Sequence, residues 1–143
     1  MNSKLNRHLG FGNLYNQCLP QIYLPHYKYS GFLLPVFTAL DGRVKATVLV
    51  GNGFLPMTIP PEYDALHFAP RAKEPTLMIG GRHDFVMPLE TSQRPLFRLL
   101  GAPEKDKRLA LFDTGHVVWP GPEVIKEILG WFDRYLGPVT TKN

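Results

Sequence analysis

From residue 30 onward, short apolar runs alternate with longer segments in which apolar residues recur at helical spacing. The short runs predict buried strands over residues 44–50, 75–79 and 108–112. The longer segments predict helices over residues 31–40, 89–100 and 123–136, with a kink or a restart at Pro95. Short strands that alternate with helices are typical of βαβ units. The pattern therefore predicts an α/β fold, with a parallel sheet of about three or four strands flanked by helices.

The residues ahead of this pattern show no lasting helical or strand period. Asn, Gly, Pro and Tyr are frequent there, and Pro20 and Pro25 lack the backbone N–H that a regular element would use. We therefore expect an irregular N-terminal arm over residues 1–29, one domain over residues 30–139 and a short tail over residues 140–143.

Composition narrows the kind of protein. The 143-residue chain is 44% hydrophobic and 20% charged, which is typical of a globular domain that can bury a core. Its net charge is +4, but the basic residues do not cluster, so we expect no nucleic-acid partner. The single cysteine, the lack of zinc-ligand spacing and the lack of a long apolar run predict a cytoplasmic protein without disulfide, metal, cofactor or membrane span.

Polar residues follow two of the predicted strands. Residues 75–79 are followed by Gly-Gly-Arg-His-Asp, and residues 108–112 by Asp-Thr-Gly-His. Ligand sites in parallel α/β sheets lie outside the carboxyl ends of the strands, so we expect Asp84 and His116 on neighbouring strand ends. A carboxylate that accepts from an imidazole Nδ1–H frees the other nitrogen to act as a base. We expect His83 to be a surface neighbour and Asp113 to hold a turn.

These loops resemble the acid and histidine loops of the α/β-hydrolase superfamily. The pattern G-x-x-D-x-x-x-P at residues 81–88, followed by Gly-His before a last helix, is most similar to the prolyl oligopeptidase and dienelactone hydrolase branch. The resemblance extends over residues 32–139. It implies a partial α/β-hydrolase-like sheet, with Asp84 as the acid and His116 as the base of a serine-hydrolase triad. It also implies hydrolysis of an ester or peptide-type acyl bond in a small-molecule or peptide substrate.

The resemblance further implies a nucleophilic serine that precedes the acid and the histidine in the chain. Ser30 has this order and stands before the predicted helix over residues 31–40. The G-x-S-x-G elbow of the family is not reproduced, because Lys28 and Phe32 occupy the two glycine positions. Ser30 is therefore either a displaced nucleophile or the N-cap of the helix.

The early strands and the oxyanion loop of the family have no counterpart in residues 1–29, so we expect a truncated hydrolase-like domain. Two functions stay open at this point. One is a serine hydrolase that uses Ser30, Asp84 and His116. The other is a non-catalytic remnant that serves as an interaction or small-molecule-binding domain and self-associates through an exposed sheet edge.

Overall fold

Three strands form one parallel sheet in the computed structural model, which describes residues 33–137. Their bounds are Thr47–Val50 (β1), Thr76–Gly81 (β2) and Lys107–Phe112 (β3), in the order β1-β2-β3. The parallel register pairs Val48 with Leu77 and Ile79 with Ala110. The predicted α/β class with a parallel sheet is confirmed. Ser30, the predicted arm over residues 1–29 and the predicted tail over residues 140–143 lie outside the described residues.

Within residues 33–137, four α-helices flank this sheet: Leu34–Leu40 (α1), Ala65–Phe68 (α2), Arg94–Leu99 (α3) and Pro122–Leu136 (α4). Short 3₁₀ turns cover Ala69–Arg71 and Glu104–Asp106, and a π-helical turn covers Leu89–Gln93. The predicted restart at Pro95 is confirmed, because Pro95 stands in the first turn of α3, where a missing N–H breaks no helical bond. Within residues 33–137, no helix is long and apolar enough to cross a membrane.

The start of α1 tests one of the two interpretations of Ser30, namely that it is the N-cap of this helix. The helix begins at Leu34, Leu33 is its N-cap, and Pro35 stands in its first turn. A proline is favoured at the first helical positions because its ring fixes a helical φ and its missing N–H is not needed there. The interpretation of Ser30 as the N-cap is therefore wrong for α1.

Side chains alternate across each strand, so β1 and β2 bury residues on both faces of the sheet, whereas β3 is only partly buried. Val48, Leu77 and Ile79 pack on one face against α4, whose contacting residues are Val124, Ile128 and Trp131. On the other face, Leu49 and Met78 pack against Leu34 and Leu96 and against the alanines at 65, 69 and 72. In the sequence, a strand that is covered on both faces is typically a continuous run of apolar residues. This explains why the strand signal in the sequence was clear.

The second strand extends further than its apolar run. Gly80 and Gly81 were expected to end the strand over residues 75–79, but both belong to β2. Neighbouring atoms leave no room for a side chain at either of these two positions. A Cβ atom at Gly81 would overlap the backbone of Gly115, and one at Gly80 would overlap the side-chain amide of Gln93.

Candidate active site

Two loops leave the carboxyl edge of the sheet side by side. The acid loop (residues 82–88) follows β2, and the histidine loop (residues 113–121) follows β3. Backbone bonds continue the ladder into both loops: Arg82 N–H donates to Phe112 O at 2.9 Å, and His83 N–H donates to Thr114 O at 3.0 Å. This continued pairing brings residues that are about thirty positions apart in the chain into contact.

The inner pair consists of Asp84 and His116. His116 Nδ1 lies 2.9 Å from Asp84 Oδ2. A carboxylate oxygen can only accept, so Nδ1 carries the hydrogen of this bond. The side chain of Asp84 is completely buried, and that of His116 is 22% exposed. A buried carboxylate thus holds a partly accessible imidazole in one orientation.

The backbone of the acid loop fixes the Asp84 carboxylate. Its Oδ1 accepts from the N–H groups of Val86 and Met87, both at 2.8 Å. These bonds occupy Oδ1 and leave Oδ2 directed at His116. Of the three residues that the sequence placed in the site, the structure brings Asp84 and His116 together, whereas Ser30 lies outside the described residues.

The outer pair, His83 and Asp113, joins the same two loops, but here the histidine lies in the acid loop and the aspartate in the histidine loop. His83 Nε2 lies 2.7 Å from Asp113 Oδ1, and the two side chains are 71% and 83% exposed. The sequence predicts a surface neighbour at His83 and a turn residue at Asp113, but it does not predict the contact between them. The available signal was the reciprocal order of the two motifs, His-Asp in one loop and Asp-x-x-His in the other.

Two buried polar residues behind the acid loop were also missed. Gln93 Nε2 donates to Gly81 O at 2.9 Å and to Met87 O at 2.8 Å. Ser92 Oγ donates to Phe54 O at 2.8 Å, in the connection that follows β1. A polar Ser-Gln step inside an otherwise apolar helical segment is the signal that could have marked them.

An apolar cleft of about 400 Å³ lies beside the histidine loop and the start of α4. It is lined by Phe112, Thr114, Val118, Trp119, Gly121, Pro122, Glu123 and Val124. Trp119 is largely exposed, as are Phe85 and Val117, which directly follow Asp84 and His116 in the chain. No group of His, Cys, Asp and Glu within residues 33–137 could hold a metal ion.

No protein-family model matches the chain, and no curated protein matches it in sequence. Solved structures do match it. A cold-adapted esterase from an Arctic intertidal metagenomic library aligns with 72% of this chain and 44% of its own, at 22% identity and a TM-score of 0.55. A Klebsiella pneumoniae protein described as a dienelactone hydrolase aligns with 73% of this chain and 48% of its own, at 19% identity and a TM-score of 0.57.

An acylaminoacyl peptidase aligns with 80% of this chain and 24% of its own, at 16% identity and a TM-score of 0.52. The chain therefore spans less than half the length of each of these three enzymes. Together the matches show that this chain has the α/β-hydrolase fold. The expected partial α/β-hydrolase-like sheet is confirmed.

Proposed function

We propose that the protein is a serine hydrolase that cleaves an ester or peptide-type acyl bond. The observation that carries the proposal is the inner pair, in which a buried carboxylate holds a partly exposed imidazole by Nδ1 at the carboxyl edge of the sheet. A carboxylate in this position fixes the tautomer and stabilises the imidazolium that forms during acyl transfer. The matched structures, which are named as an esterase, a dienelactone hydrolase and a peptidase, support the same class of reaction.

Chain order supports Ser30 as the nucleophile. The sequence contains three serines, Ser3, Ser30 and Ser92. Ser92 follows Asp84 in the chain, is buried, and donates its hydroxyl to Phe54 O. Ser30 stands four positions before α1, and the nucleophile of this fold stands between a strand and a helix. Ser30 is therefore the better candidate of the two serines that precede the acid.

The proposed reaction has two steps. Ser30 Oγ attacks the carbonyl carbon of the substrate, and its proton passes to His116 Nε2 while Asp84 stabilises the imidazolium. His116 then returns this proton to the leaving alcohol or amine, and an acyl-serine remains. Water repeats the sequence on the acyl-serine, so the acid product leaves and Ser30 is restored. No cofactor enters this scheme.

A fluorophosphonate probe followed by peptide mapping tests the proposal. The wild-type protein should be labelled at Ser30, and Ser30→Ala should not be labelled. Ser3→Ala is the matched control and should be labelled at the wild-type rate. Absence of labelling in the wild type, or equal labelling of Ser30→Ala, would contradict the assignment of the nucleophile.

A second proposal is a non-catalytic interaction domain, and the edges of the sheet favour it. Among the described residues, β1 and β3 each pair only with β2, so neither outer edge of the sheet is paired within this part of the chain. Ile125 and Leu129 also lie exposed one turn apart on α4. Light scattering over a concentration series should then show self-association, and a monodisperse monomer would contradict it.

For either function, a cytoplasmic location stays a prediction from the sequence.

In a variant of this second proposal, the domain binds a small molecule near Asp84, His116 and Trp119 and does not convert it to a product. Its test is the affinity for a non-hydrolysable acyl analogue in the wild type and in His116→Ala. Binding that the substitution leaves unchanged would exclude this place as the binding site.

A further inference from the structure

Gln93 is a fully buried amide that lies directly behind the acid loop. Its Nε2 donates to Gly81 O at 2.9 Å and to Met87 O at 2.8 Å, so both of its hydrogens are used. Gly81 ends β2, and Met87 stands near the end of the acid loop. One side chain therefore bridges the two ends of the segment that carries Asp84.

The connection from Gln93 to Asp84 runs through a single residue, Met87. The carbonyl of Met87 accepts from Gln93, and its N–H donates to Asp84 Oδ1 at 2.8 Å. The second oxygen of Asp84 faces His116 Nδ1 at 2.9 Å. A displacement of Met87 would therefore move the carboxylate that holds the imidazole.

The local backbone is built around this amide. Gly80 leaves the space that the Gln93 carboxamide fills, since a Cβ atom there would overlap Oε1. The π-helical turn Leu89–Gln93 carries Gln93, whose N–H donates to Pro88 O at 3.2 Å. Wide turns of this kind occur frequently at functional sites. Ser92, in the same turn, anchors it to the connection after β1 through Phe54 O.

The amide is not the side chain that packing alone would favour. Among the described residues, Gln93 Oε1 is buried and has no hydrogen-bond partner, which destabilises the folded state. Methionine has a similar length and would remove this unsatisfied side-chain acceptor. It would not supply the two N–H donors that Gly81 O and Met87 O receive from Gln93.

We infer that Gln93 is a positioning residue, which sets the acid loop so that Asp84 presents Oδ2 to His116 Nδ1. The consequence for catalysis rests on the proposed function, whereas the geometric role rests on these contacts alone. The role is distinct from simple stabilisation because it predicts an effect on the imidazole, which Gln93 does not itself bond.

The experiment is ¹⁵N NMR of the His116 imidazole, at a pH where the ring is neutral, in the wild type and in Gln93→Met. The wild type should show the Nδ1–H tautomer, and Gln93→Met should shift the ring toward the Nε2–H tautomer, with Asp84→Ala as the reference for complete loss of orientation. Thr38→Val is the matched control. It removes buried hydroxyl bonds to Leu34 O and Pro35 O in α1, so it can lower stability but should leave the tautomer unchanged.

Gly80→Ala gives a second route to the same result, because it keeps Gln93 and displaces its carboxamide. The tautomer shift should appear in this variant as well. A third measurement needs no variant: the Nε2 protons of Gln93 should exchange with solvent much more slowly than those of an exposed glutamine. An unchanged tautomer in a folded Gln93→Met or Gly80→Ala protein, or fast exchange in the wild type, would overturn the inference.

Kinetics separate this inference from the proposed function. Where the wild type hydrolyses an ester, Gln93→Met should lower kcat/KM by roughly 10- to 100-fold with little change in KM, by analogy with the outer partners that orient metal ligands. If the wild type hydrolyses nothing and the tautomer shift is still observed, the proposed function fails and the positioning role stands.

Discussion

The acid loop and the histidine loop are joined by two aspartate–histidine pairs that differ mainly in burial. The inner pair, Asp84 and His116, has a completely buried carboxylate and an imidazole that is 22% exposed. In the outer pair, His83 and Asp113 are 71% and 83% exposed, although their contact is slightly shorter, at 2.7 Å against 2.9 Å. Contact distance alone would favour the outer pair as the candidate catalytic pair, but burial favours the inner pair.

The backbone around each aspartate explains the difference. Asp84 accepts from two N–H groups of its own loop, and Gln93 holds the carbonyl of one of those two residues. The only side-chain hydrogen bond found for Asp113 in the described part of the chain is the one to His83. An exposed pair is screened by water and contributes about 0–1 kcal/mol, whereas a fixed and buried carboxylate can orient an imidazole. The same two residue types thus form a candidate catalytic pair in one place and a surface contact in the other.

The largest expected contrast is between His116→Ala and His83→Ala. The first should lower kcat/KM for a p-nitrophenyl ester by about 10³-fold or more, since loss of the base removes nucleophile activation. The second should stay within about threefold, because a surface pair contributes little. Steady-state kinetics on both variants check this, and an equal loss in the two variants would remove the distinction between the pairs.

Gly81→Ala should disturb both pairs at once. The added methyl group would meet the backbone of Gly115 and Thr114, where the histidine loop passes the end of β2. Backbone overlap of this kind should cost about 3 kcal/mol of unfolding free energy. Gly130→Ala is the control, because Gly130 lies inside α4 and a Cβ there meets nothing within 4 Å. It should stabilise the protein by about 0.5–1 kcal/mol in urea unfolding, and the reverse order would contradict the close approach of the Gly115 backbone to Gly81.

Removal of each carboxylate should give the next smaller contrast. Asp84→Ala leaves the N–H groups of Val86 and Met87 without their acceptor, which should cost about 2 kcal/mol. Asp113→Ala removes only the outer pair and should cost less than about 1 kcal/mol. Urea unfolding of the two variants at the same pH measures both values. Similar losses would mean that the backbone of the acid loop does not depend on Asp84.

The smallest effect is expected at a pair that contains no histidine. Arg43 bonds to Asp41 at the turn after α1, and this contact lowers the pKa of the Asp41 carboxyl from 3.8 to about 2. The unfolded chain therefore binds more protons between these pH values, so the contribution of Asp41 is complete above about pH 3.8 and is lost as the pH falls toward 2. The unfolding free energies of the wild type and of Asp41→Asn, measured as a function of pH, should converge as the pH falls toward 2. A constant difference down to that pH would contradict the assignment.

The sheet and the inner pair could be predicted from the sequence because their signals are local. A strand buried on both faces, such as β1 or β2, is a run of apolar residues, and the predicted runs lie within a few residues of the bounds of all three strands. Asp84 and His116 each follow such a run within a glycine-containing motif. The parallel arrangement then places both at the same edge of the sheet.

The outer pair and Gln93 could not be predicted in the same way, because both depend on contacts between distant parts of the chain. His83 meets Asp113 only because the β2–β3 ladder continues to the bond between His83 N–H and Thr114 O. Gln93 reaches Gly81 O and Met87 O only because the chain makes a π-helical turn, where the apolar spacing predicted an ordinary helix. A one-residue change in the register of either segment would abolish these contacts and leave the hydrophobic pattern almost unaltered.

The central claim is that the inner pair acts on a nucleophilic serine, and the most direct test is one distance. A crystal structure of the protein should place Ser30 Oγ within about 2.6–3.2 Å of His116 Nε2, or slightly further in the absence of a substrate. A separation greater than one bridging water can span would contradict the account. The chain would then contain an oriented acid–base pair without the serine that the proposed reaction requires.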